Sequence, residues 1–368
     1  MAFLNVAGKS YEDLASRKDL MQMGHNCNLL PIHPSIHQAM ISAIERDEYR
    51  IYTPPYGFEE LIELISADMA IPGAKVLVTQ GATEAIFQAL SVLIEPGDEI
   101  VLSDPGWPHI GNIARGLGAK LVPVPVYSDL ANYKLLPSLL AEHMTPQTKV
   151  IAIVDPFNPL GASYSKSEIE QICAIAKKYG AYVLHDATYR DFATEHYSAL
   201  RCYEKAVIDI SLSKSCGFAG LRVGAVVTTP ELLARIQDRQ VARLGGNWLA
   251  QKGAIAAYKT KSEWLPKVVA AVEANKTRIA KAVGTVSGLR CLTNPSSGNF
   301  LAIDVTGLGC TSEDLVESLL RENIVVRSGN YTSERFGDAF IRVTSSVPAE
   351  YTERFAAVLP AAAERVRK

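Results

Sequence analysis

Residues 211–227, SLSKSCGFAGLRVGAVV, place a lysine between two serines, follow it with two glycines and an arginine, and end in an apolar run. The stretch joins KAVIDISLS to RVGAVVTT, and both runs are apolar enough to predict strands of a buried sheet. In open α/β sheets, ligands bind in the crevice beyond the carboxyl ends of the strands. We therefore expect Lys214 and Arg222 at a ligand-binding edge of this sheet.

Short apolar runs alternate with helical patterns through the part of the chain around this stretch. The runs that predict strands are AKVLVTQ, EIVLSD, KLVPVPV, KVIAIVDP, AYVLHDA, KAVIDISLS and RVGAVVTT. Strands that are apolar on both faces and separated by helices are typical of a mostly parallel sheet covered on both sides. The pattern predicts an α/β fold whose large domain, residues 49–250, holds a mostly parallel seven-stranded sheet between helices.

The pattern changes beyond residue 250. A long helical pattern extends from Trp248 to about Val286, with one interruption near Leu265 and Pro266, and shorter strand and helix patterns follow it. Residues 251–368 are therefore predicted to form a linking helix and a smaller α+β domain. We expect residues 1–48 to pack with this smaller domain.

Charge and composition argue against several classes of partner. With 37 basic and 39 acidic residues among 368, the formal net charge is -2, and no basic stripe is present to bind nucleic acid or an anionic membrane. The six cysteines lie far apart, without the close pairs of zinc or thiol redox sites, so no metal site is predicted. There is no signal-peptide pattern and no apolar run of roughly 18 residues. We expect a cytoplasmic protein that acts on small molecules.

Small and polar residues follow three of the predicted strands. Gly81–Thr83 begin a helix after AKVLVTQ, where free N–H groups suit a phosphate, although an ordinary strand–helix turn has the same pattern. Asn158 follows KVIAIVDP and precedes a proline, as it also would in a common loop. Asp186 ends AYVLHDA, with Tyr189 three residues later; a carboxylate there is costly to bury without a partner, and a helix cap is the alternative explanation.

The opening stretch supplies further groups of the same kind. Ser211, Ser213 and Arg222 offer two hydroxyls and a fork of N–H donors to a phosphate, and nearby glycines leave room for a close approach of the backbone. The amine of Lys214 can condense with an aldehyde. An exposed loop lysine is the alternative, but it leaves the surrounding serines, glycines and arginine unexplained.

Taken together, these segments resemble the class I/II aminotransferases, which are fold-type I enzymes dependent on pyridoxal 5'-phosphate (PLP). SLSKSCGFAGLRVG is similar to the lysine segment of that family. In the same chain order as in the family, further likenesses are found in YTPPYG, GATEA, DPGWPHI, NPLG, DATY and FIRVTSS. The resemblance extends from about Asn28 to about Ser346, and agreement at so many ordered sites makes it specific.

The resemblance implies roles for the residues at the reacting end of the cofactor. Lys214 would form the internal aldimine and then move the Cα proton of the substrate. Asp186 would keep the pyridine nitrogen protonated, so that the ring can take up electrons. Asn158 and Tyr189 would hydrogen-bond the phenolic oxygen, and Trp107 would stack on the ring.

The resemblance also implies how the phosphate and the substrate are held. Ser211, Ser213, Arg222 and the N–H groups of Ala82 and Thr83, which follow Gly81, would bind the phosphate. Tyr52 would reach it from the other subunit of a homodimer. Arg342 would clamp the α-carboxylate of the substrate with two parallel hydrogen bonds, and Asn158 would also face the substrate. A surface strand arginine is the alternative interpretation of Arg342.

Two segments depart from the common aminotransferase pattern. The segment MGHNCNLLPIHP brings His25 and Asn26 toward the substrate pocket, where His25 is either an additional acid or base or an ordinary structural histidine. The segment DATYRDF resembles, more weakly, arginine-processing PLP enzymes such as capreomycidine- or enduracididine-type cyclases and the related oxidases. In that case Glu12 and Asp13 would face a guanidinium; a solvated acidic pair is the alternative.

The sequence thus predicts a PLP-dependent aminotransferase that acts on an L-amino acid and a 2-oxo acid. The alternative is a PLP-dependent lyase, cyclodehydratase or oxidase acting on arginine or hydroxyarginine in a specialised pathway. A catalytically silent binding domain is a third possibility, which the presence of Lys214, Asp186 and Arg222 opposes. No single segment identifies the side chain of the substrate.

Overall fold

The computed structural model describes Leu14, Arg17 and residues 19–239 and 244–368. The strands in chain order are β1 (Met21–Gln22), β2 (Lys75–Thr79), β3 (Glu99–Asp104), β4 (Lys120–Pro125), β5 (Thr148–Val154), β6 (Tyr182–Asp186), β7 (Ala206–Ser211), β8 (Gly224–Thr228), β9 (Arg290–Cys291), β10 (Phe300–Asp304), β11 (Ile324–Val325), β12 (Arg327–Ser328) and β13 (Phe340–Thr344). The helices are α1 (Pro34–Glu45), α2 (Glu59–Met69), α3 (Ala82–Leu93), α4 (Pro108–Gly116), α5 (Pro137–His143), α6 (Lys166–Tyr179), α7 (Pro230–Arg239), α8 (Trp248–Lys259), α9 (Lys261–Gly284), α10 (Ser312–Leu320) and α11 (Ala349–Glu364).

The larger sheet has seven strands in the order β2-β8-β7-β6-β5-β3-β4. Its neighbouring strands are parallel except for β8, which is antiparallel to both β2 and β7. Helices cover it, so the side chains of β5, β7 and β8 are buried at almost every position. The predicted α/β fold with a mostly parallel seven-stranded sheet is confirmed.

A smaller, antiparallel sheet in the order β12-β13-β10-β9 lies in the second half of the chain. With α10, α11 and the end of α9, it encloses a second apolar core that includes Ile303, Ile341 and Phe355. The register of this sheet places Arg342 of β13 opposite Arg327 of β12 and Ala302 of β10.

The long helical pattern after Trp248 forms two helices rather than one interrupted near Leu265 and Pro266. The break lies at Thr260, the C-cap of α8, whose N–H and hydroxyl groups both donate to the carbonyl of Ala256. Pro266 lies inside α9, where it removes one intrahelical hydrogen bond without ending the helix. Helix α9 joins the two cores, because Trp264–Val272 contribute to the first and Ile279–Val283 to the second.

The described part of residues 1–48 is shared between the two cores. Strand β1 pairs with β11, and Met23 is buried in the second core. Helix α1 instead packs against α8, with Ile36 in the first core. The apolar face of α1 is thus buried on α8, the first part of the predicted linking helix. The assignment of residues 1–48 to the smaller domain, and the boundaries at 48 and 250, stay a prediction. No helix among the described residues is long and apolar enough to cross a bilayer.

Candidate cofactor and substrate site

A cavity of about 140 Å³ opens at the carboxyl ends of β5, β6 and β7. It is lined by Ala82, Thr83, Trp107, Asn158, Asp186, Thr188, Tyr189, Ser211, Ser213, Lys214 and Arg222. Segments far apart in the sequence meet here because parallel strands end at the same edge of their sheet. Of the predicted cofactor residues, only Gly81 and Tyr52 are missing from this lining, and Thr188 is the one lining residue that was not predicted.

One end of the cavity is formed by the first turn of α3. Gly81 precedes this turn with φ +85°. Because it has no side chain, the first N–H groups of the helix receive no capping hydrogen bond from it. The positive φ favours a glycine, and a side chain there would also displace the guanidinium of Arg222. The N–H groups at the start of α3 and the positive end of its dipole suit an anion.

Arg222 adds a positive charge at the same end. Its backbone lies in the left-handed region, at φ +58°, a conformation that costs free energy in an arginine and directs the side chain toward α3. The guanidinium donates to the carbonyls of Ala219 (2.9 Å) and Gln80 (3.3 Å) and to the hydroxyl of Ser213 (3.5 Å). Among the described residues, no carboxylate forms an ion pair with it. The charge of Arg222 is therefore available to a bound anion.

Lys214 lies in the loop between β7 and β8, and its amine faces the cavity. Nζ lies 5.7 Å from the centre of the Tyr189 ring and makes no ion pair within the described part of the chain. The backbone on either side is held in place: Asn28 Nδ2 donates to the Ser215 carbonyl (2.7 Å), and the Ser215 hydroxyl donates to Asp191 (2.5 Å). The loop is thus fixed while the amine remains open to reaction.

Asp186 is 3% exposed and ends β6 at the floor of the cavity. The N–H of Thr188 donates to its Oδ1 (2.9 Å). Burial raises the pKa of Asp186, and the hydrogen bonds from Thr188 oppose that rise by favouring the carboxylate. A DxT spacing at a strand end is the signal that could have predicted Thr188.

Asn158 and Tyr189 of the cavity lining are each hydrogen-bonded to a residue outside the cavity. Arg342 Nη1 donates to Asn158 Oδ1 (2.5 Å), and Asn26 Nδ2 donates to the Tyr189 hydroxyl (3.2 Å). The Asn26 Oδ1 accepts from the hydroxyl of Thr344 (2.9 Å), so this amide is occupied by protein groups. We therefore propose that Asn26 positions Tyr189, instead of binding the substrate directly as expected.

Arg342 is 5% exposed and carries a charge that no carboxylate of the described residues compensates. Its two Nη atoms donate to neutral oxygens, those of Asn158 and of the Gly24 carbonyl (2.9 Å). Burial lowers the pKa of this guanidinium, with the nearby charge of Arg327 acting in the same direction. Two buried arginines in register form a site that an anion would stabilise.

His25 lies beside these cations. Burial, together with the charges of Arg327, Arg342 and Lys214, lowers the pKa of His25 to about 4. The imidazole is therefore neutral at pH 7. It does not line the cavity of Lys214, and its predicted place in the substrate pocket stays a proposal.

Comparisons with known proteins identify the family. The sequence family described as aminotransferase class I and II matches residues 18–359, which is nearly the whole chain. The chain belongs to the class I and II aminotransferases. It is 26% identical to an aspartate aminotransferase of Pyrococcus horikoshii, over 92% of this chain and 90% of that protein. It is 28% identical to a histidinol-phosphate aminotransferase of Moorella thermoacetica, over 92% of this chain and 85% of that protein.

A solved structure with a similar fold is the aromatic aminotransferase of Pyrococcus horikoshii, with a TM-score of 0.86. The two chains are 21% identical, and the match covers 96% of this aminotransferase and 98% of the other chain. The predicted PLP-dependent transaminase is thereby confirmed. These comparisons give no support to the elimination, cyclisation or oxidation of arginine that was the alternative.

The cofactor of this family is PLP, and the cavity of the aminotransferase fits it. An uncompensated arginine and a helix N-terminus at one end suit its phosphate, and a buried carboxylate at the floor suits its pyridinium. We propose that Ser211, Ser213, Arg222, Ala82 and Thr83 hold the phosphate. Lys214 lines the same cavity, and the half-buried indole of Trp107 supplies a flat apolar wall.

The segment DATYRDF of the aminotransferase has a structural explanation. Arg190 pairs with Asp68, and Lys261 bridges Asp68 (2.7 Å) and Asp191 (2.8 Å). Burial acts to raise the pKa of Asp191, but the charges of Arg190 and Lys261 outweigh it and bring the pKa to about 2. This network supports the lysine loop through Ser215 and lies behind the cavity, so Arg190 needs no substrate to explain it. Glu12 and Asp13 lie outside the described residues.

A second buried cluster lies behind β5 and β6. The Nε2 atoms of His185 and His196 lie 3.7 and 3.6 Å from Oδ2 of Asp155, close enough together to suggest a metal site. However, the N–H of Ala199 donates to Nδ1 of His185 (3.2 Å), so the ring proton must be on Nε2. Metal-binding histidines have the opposite arrangement, with the second nitrogen donating. The cluster is better explained as two histidine rings packed against one buried carboxylate.

We expect the aminotransferase to lose stability as the pH falls from about 6.5 to 4. Burial lowers the pKa of both His25 and His196 to about 4, so the folded state excludes protons that the unfolded chain binds below pH 6.5. Each histidine contributes up to about 3 kcal/mol to the free energy of unfolding. This contribution is present above pH 6.5 and is lost as the pH falls toward 4. Urea unfolding at several pH values in this range measures the slope of the free energy of unfolding against pH. His196→Asn should flatten it, whereas His37→Asn, at an exposed position, should not; equal slopes in both variants would contradict the explanation.

Proposed function

We propose that this aminotransferase transfers the amino group of an L-amino acid to a 2-oxo acid, with the α-carboxylate of each bound by Arg342. The supporting observation is that Arg342 is a buried cation with two Nη atoms on neutral oxygens and no carboxylate partner among the described residues. A planar carboxylate matches its fork of donors. Both halves of a transamination bring such a group to the same place.

The chemistry is divided between the cofactor and the cavity residues. Bound PLP supplies an aldehyde that condenses with amines and a ring that takes up an electron pair. Lys214 Nζ would hold the cofactor and would act as the base that moves the proton of the substrate Cα. The buried Asp186 would stabilise positive charge on the ring at the floor of the cavity. Asn158 and Tyr189 would donate hydrogen bonds to an oxygen of the cofactor.

The positive charges around the substrate end favour an anionic substrate. Arg327 lies in register beside Arg342, with its guanidinium 3.9 Å from the centre of the Tyr331 ring. Together with Lys214, these arginines act on His25 strongly enough to contribute to its lowered pKa. Relatives of the chain are named for aspartate, which carries a second carboxylate, and for histidinol phosphate, which carries a phosphate in place of an α-carboxylate. We propose aspartate-like or phosphate-bearing amino donors as the first candidates.

A panel of amino donors tests this proposal. The enzyme reconstituted with PLP is mixed with L-aspartate, histidinol phosphate, L-arginine and their uncharged analogues, and conversion of the cofactor to its amine form is followed by absorbance. We expect conversion with at least one anionic donor and its reversal by a 2-oxo acid. If no donor is converted, or if arginine is consumed with uptake of oxygen or loss of water, the proposal is wrong.

We propose that the protein is a homodimer. The side chains of Ile51 and Tyr52 are 66% and 77% exposed, and further large apolar side chains are exposed on the nearby α1 and the segment after it. Exposed apolar surface of this kind usually marks an interface. The exposed members are Ile41, Ile44, Tyr49, Ile51, Tyr52 and Tyr56.

In such a dimer, Tyr52 would complete the phosphate site of the other subunit. Mixing two inactive variants, Tyr52→Ala and Lys214→Ala, tests this arrangement. If Tyr52 crosses the interface, each mixed dimer has one intact site, and an equal mixture regains roughly one quarter of wild-type activity. If Tyr52 acts within its own subunit, neither site of the mixed dimer is intact. A mixture no more active than its parts would therefore contradict the assignment. A cytoplasmic location stays a prediction.

A further inference from the structure

Asp209 is a buried carboxylic acid that the established chemistry does not use. It lies in the middle of β7, is 0% exposed and does not line the cofactor cavity. The register of the sheet places it directly opposite Asp186 of β6, so that the two side chains share one face. Two carboxyl groups are thus adjacent beneath the cofactor site.

The hydrogen bonds around the pair are unequal. Asp186 accepts from the N–H of Thr188 (2.9 Å), which favours its ionised form. Both side-chain oxygens of Asp209 are buried and accept no hydrogen bond from any described residue. A buried carboxylate without a donor, next to another carboxylate, is strongly disfavoured, whereas a protonated one can donate to its neighbour.

Among the described residues, the groups packed around Asp209 offer no compensating cation. On β8, the paired residue is the apolar Val226. On α3, which crosses these strands, Glu84 is engaged with the N–H of Gln80 and the amide of Gln88. His185 is adjacent to Asp186 on β6 and therefore points to the opposite face of the sheet.

We propose that Asp209 is protonated in the folded enzyme and donates its proton to the carboxylate of Asp186. Asp209 is then a positioning residue: its O–H fixes one oxygen of Asp186, the N–H of Thr188 fixes the other side chain oxygen, and a single negative charge remains at the floor of the cavity. The pKa of Asp209 is shifted in the direction that a protonated side chain requires. Burial, and then the charge of Asp186, raise it well above its ordinary value. That proton would be present throughout the pH range in which the enzyme works.

Infrared spectroscopy of the wild-type holoenzyme and its variants tests the proposal directly. We expect the band of a buried, protonated carboxyl group at pH 7.5, shifted by deuterium exchange and absent from Asp209→Asn and Asp209→Ala. A wild-type spectrum without this band would overturn the proposal. The infrared band depends neither on the substrate nor on the reaction. Its absence would therefore contradict this proposal without contradicting the proposed function.

Stability and cofactor absorbance supply the second measurement. Asp209→Asn keeps a donor to Asp186 and removes the proton that the folded state must retain, so its stability relative to the wild type should increase as the pH rises above about 4. Asp209→Ala should shift the pH midpoint of the bound cofactor's visible absorbance, and Asp209→Asn should restore it. Ile210→Val, on the same strand but the opposite face, controls for a loosened core. If Asp209→Asn is the less stable at every pH, or if Ile210→Val shifts the midpoint equally, Asp209 does not act as proposed.

Discussion

Replacing Lys214 by alanine is expected to lower kcat for transamination by on the order of 10⁴-fold, the upper range for loss of a positioned acid or base. The amine faces the cavity and forms no ion pair with any described residue. The lining contains no second amine that could replace it as the base. Cofactor conversion in a single turnover, with saturating donor, measures the effect on the chemical step without the later half-reaction.

Its control is Lys120→Ala, which removes an exposed lysine of β4 far from the cavity and should leave the rate unchanged. The Lys214 variant should still fold, because its backbone is held by Asn28 and Asp191 rather than by its own side chain. Unchanged thermal unfolding would establish that point. Turnover by Lys214→Ala within tenfold of the wild type would show that another group moves the proton.

Replacing Arg342 by alanine is expected to lower kcat/KM for amino acids by on the order of 10²- to 10³-fold, the cost of truncating one partner of a buried charge pair. The loss should depend on the substrate. The wild type should discriminate between an amino acid and the amine that lacks its carboxylate by a similar factor, and Arg342→Ala should lose this discrimination. Kinetics with both donors on both proteins give the four values that isolate the carboxylate contact.

Arg342→Lys is the matched control for charge without geometry. It keeps the positive charge but not the fork of donors, so we expect an intermediate kcat/KM. Because Arg342 also bonds Asn158 and Gly24, cofactor affinity is measured for each variant to separate local disorder from loss of binding. If Arg342→Ala lowers the rates of amine and amino acid equally, the arginine is structural.

The fold and the cavity lining could be predicted because the informative residues lie at strand ends. Asn158, Asp186 and Lys214 each follow an apolar run, and parallel strands bring such positions to one edge whatever the order of the strands. The local pattern around each residue therefore contained the information needed to place it.

The remaining features depend on contacts between distant segments, which no local pattern contains. Asp209 lies inside an apolar run, and only the register between β6 and β7 places it beside Asp186. Asp68 and Lys261 are 193 positions apart in the sequence and meet through the packing of their helices. Helix α1 likewise packs against α8, a contact between distant segments.

The hydrogen bond between Arg342 and Asn158 joins substrate recognition to the cofactor. Asn158 Oδ1 accepts from Arg342 Nη1, and the amide of the same residue lines the cavity. We expect a carboxylate bound at Arg342 to compensate its positive charge and so to change the polarisation of the Asn158 amide at the cavity. An amine without a carboxylate would leave that amide unchanged.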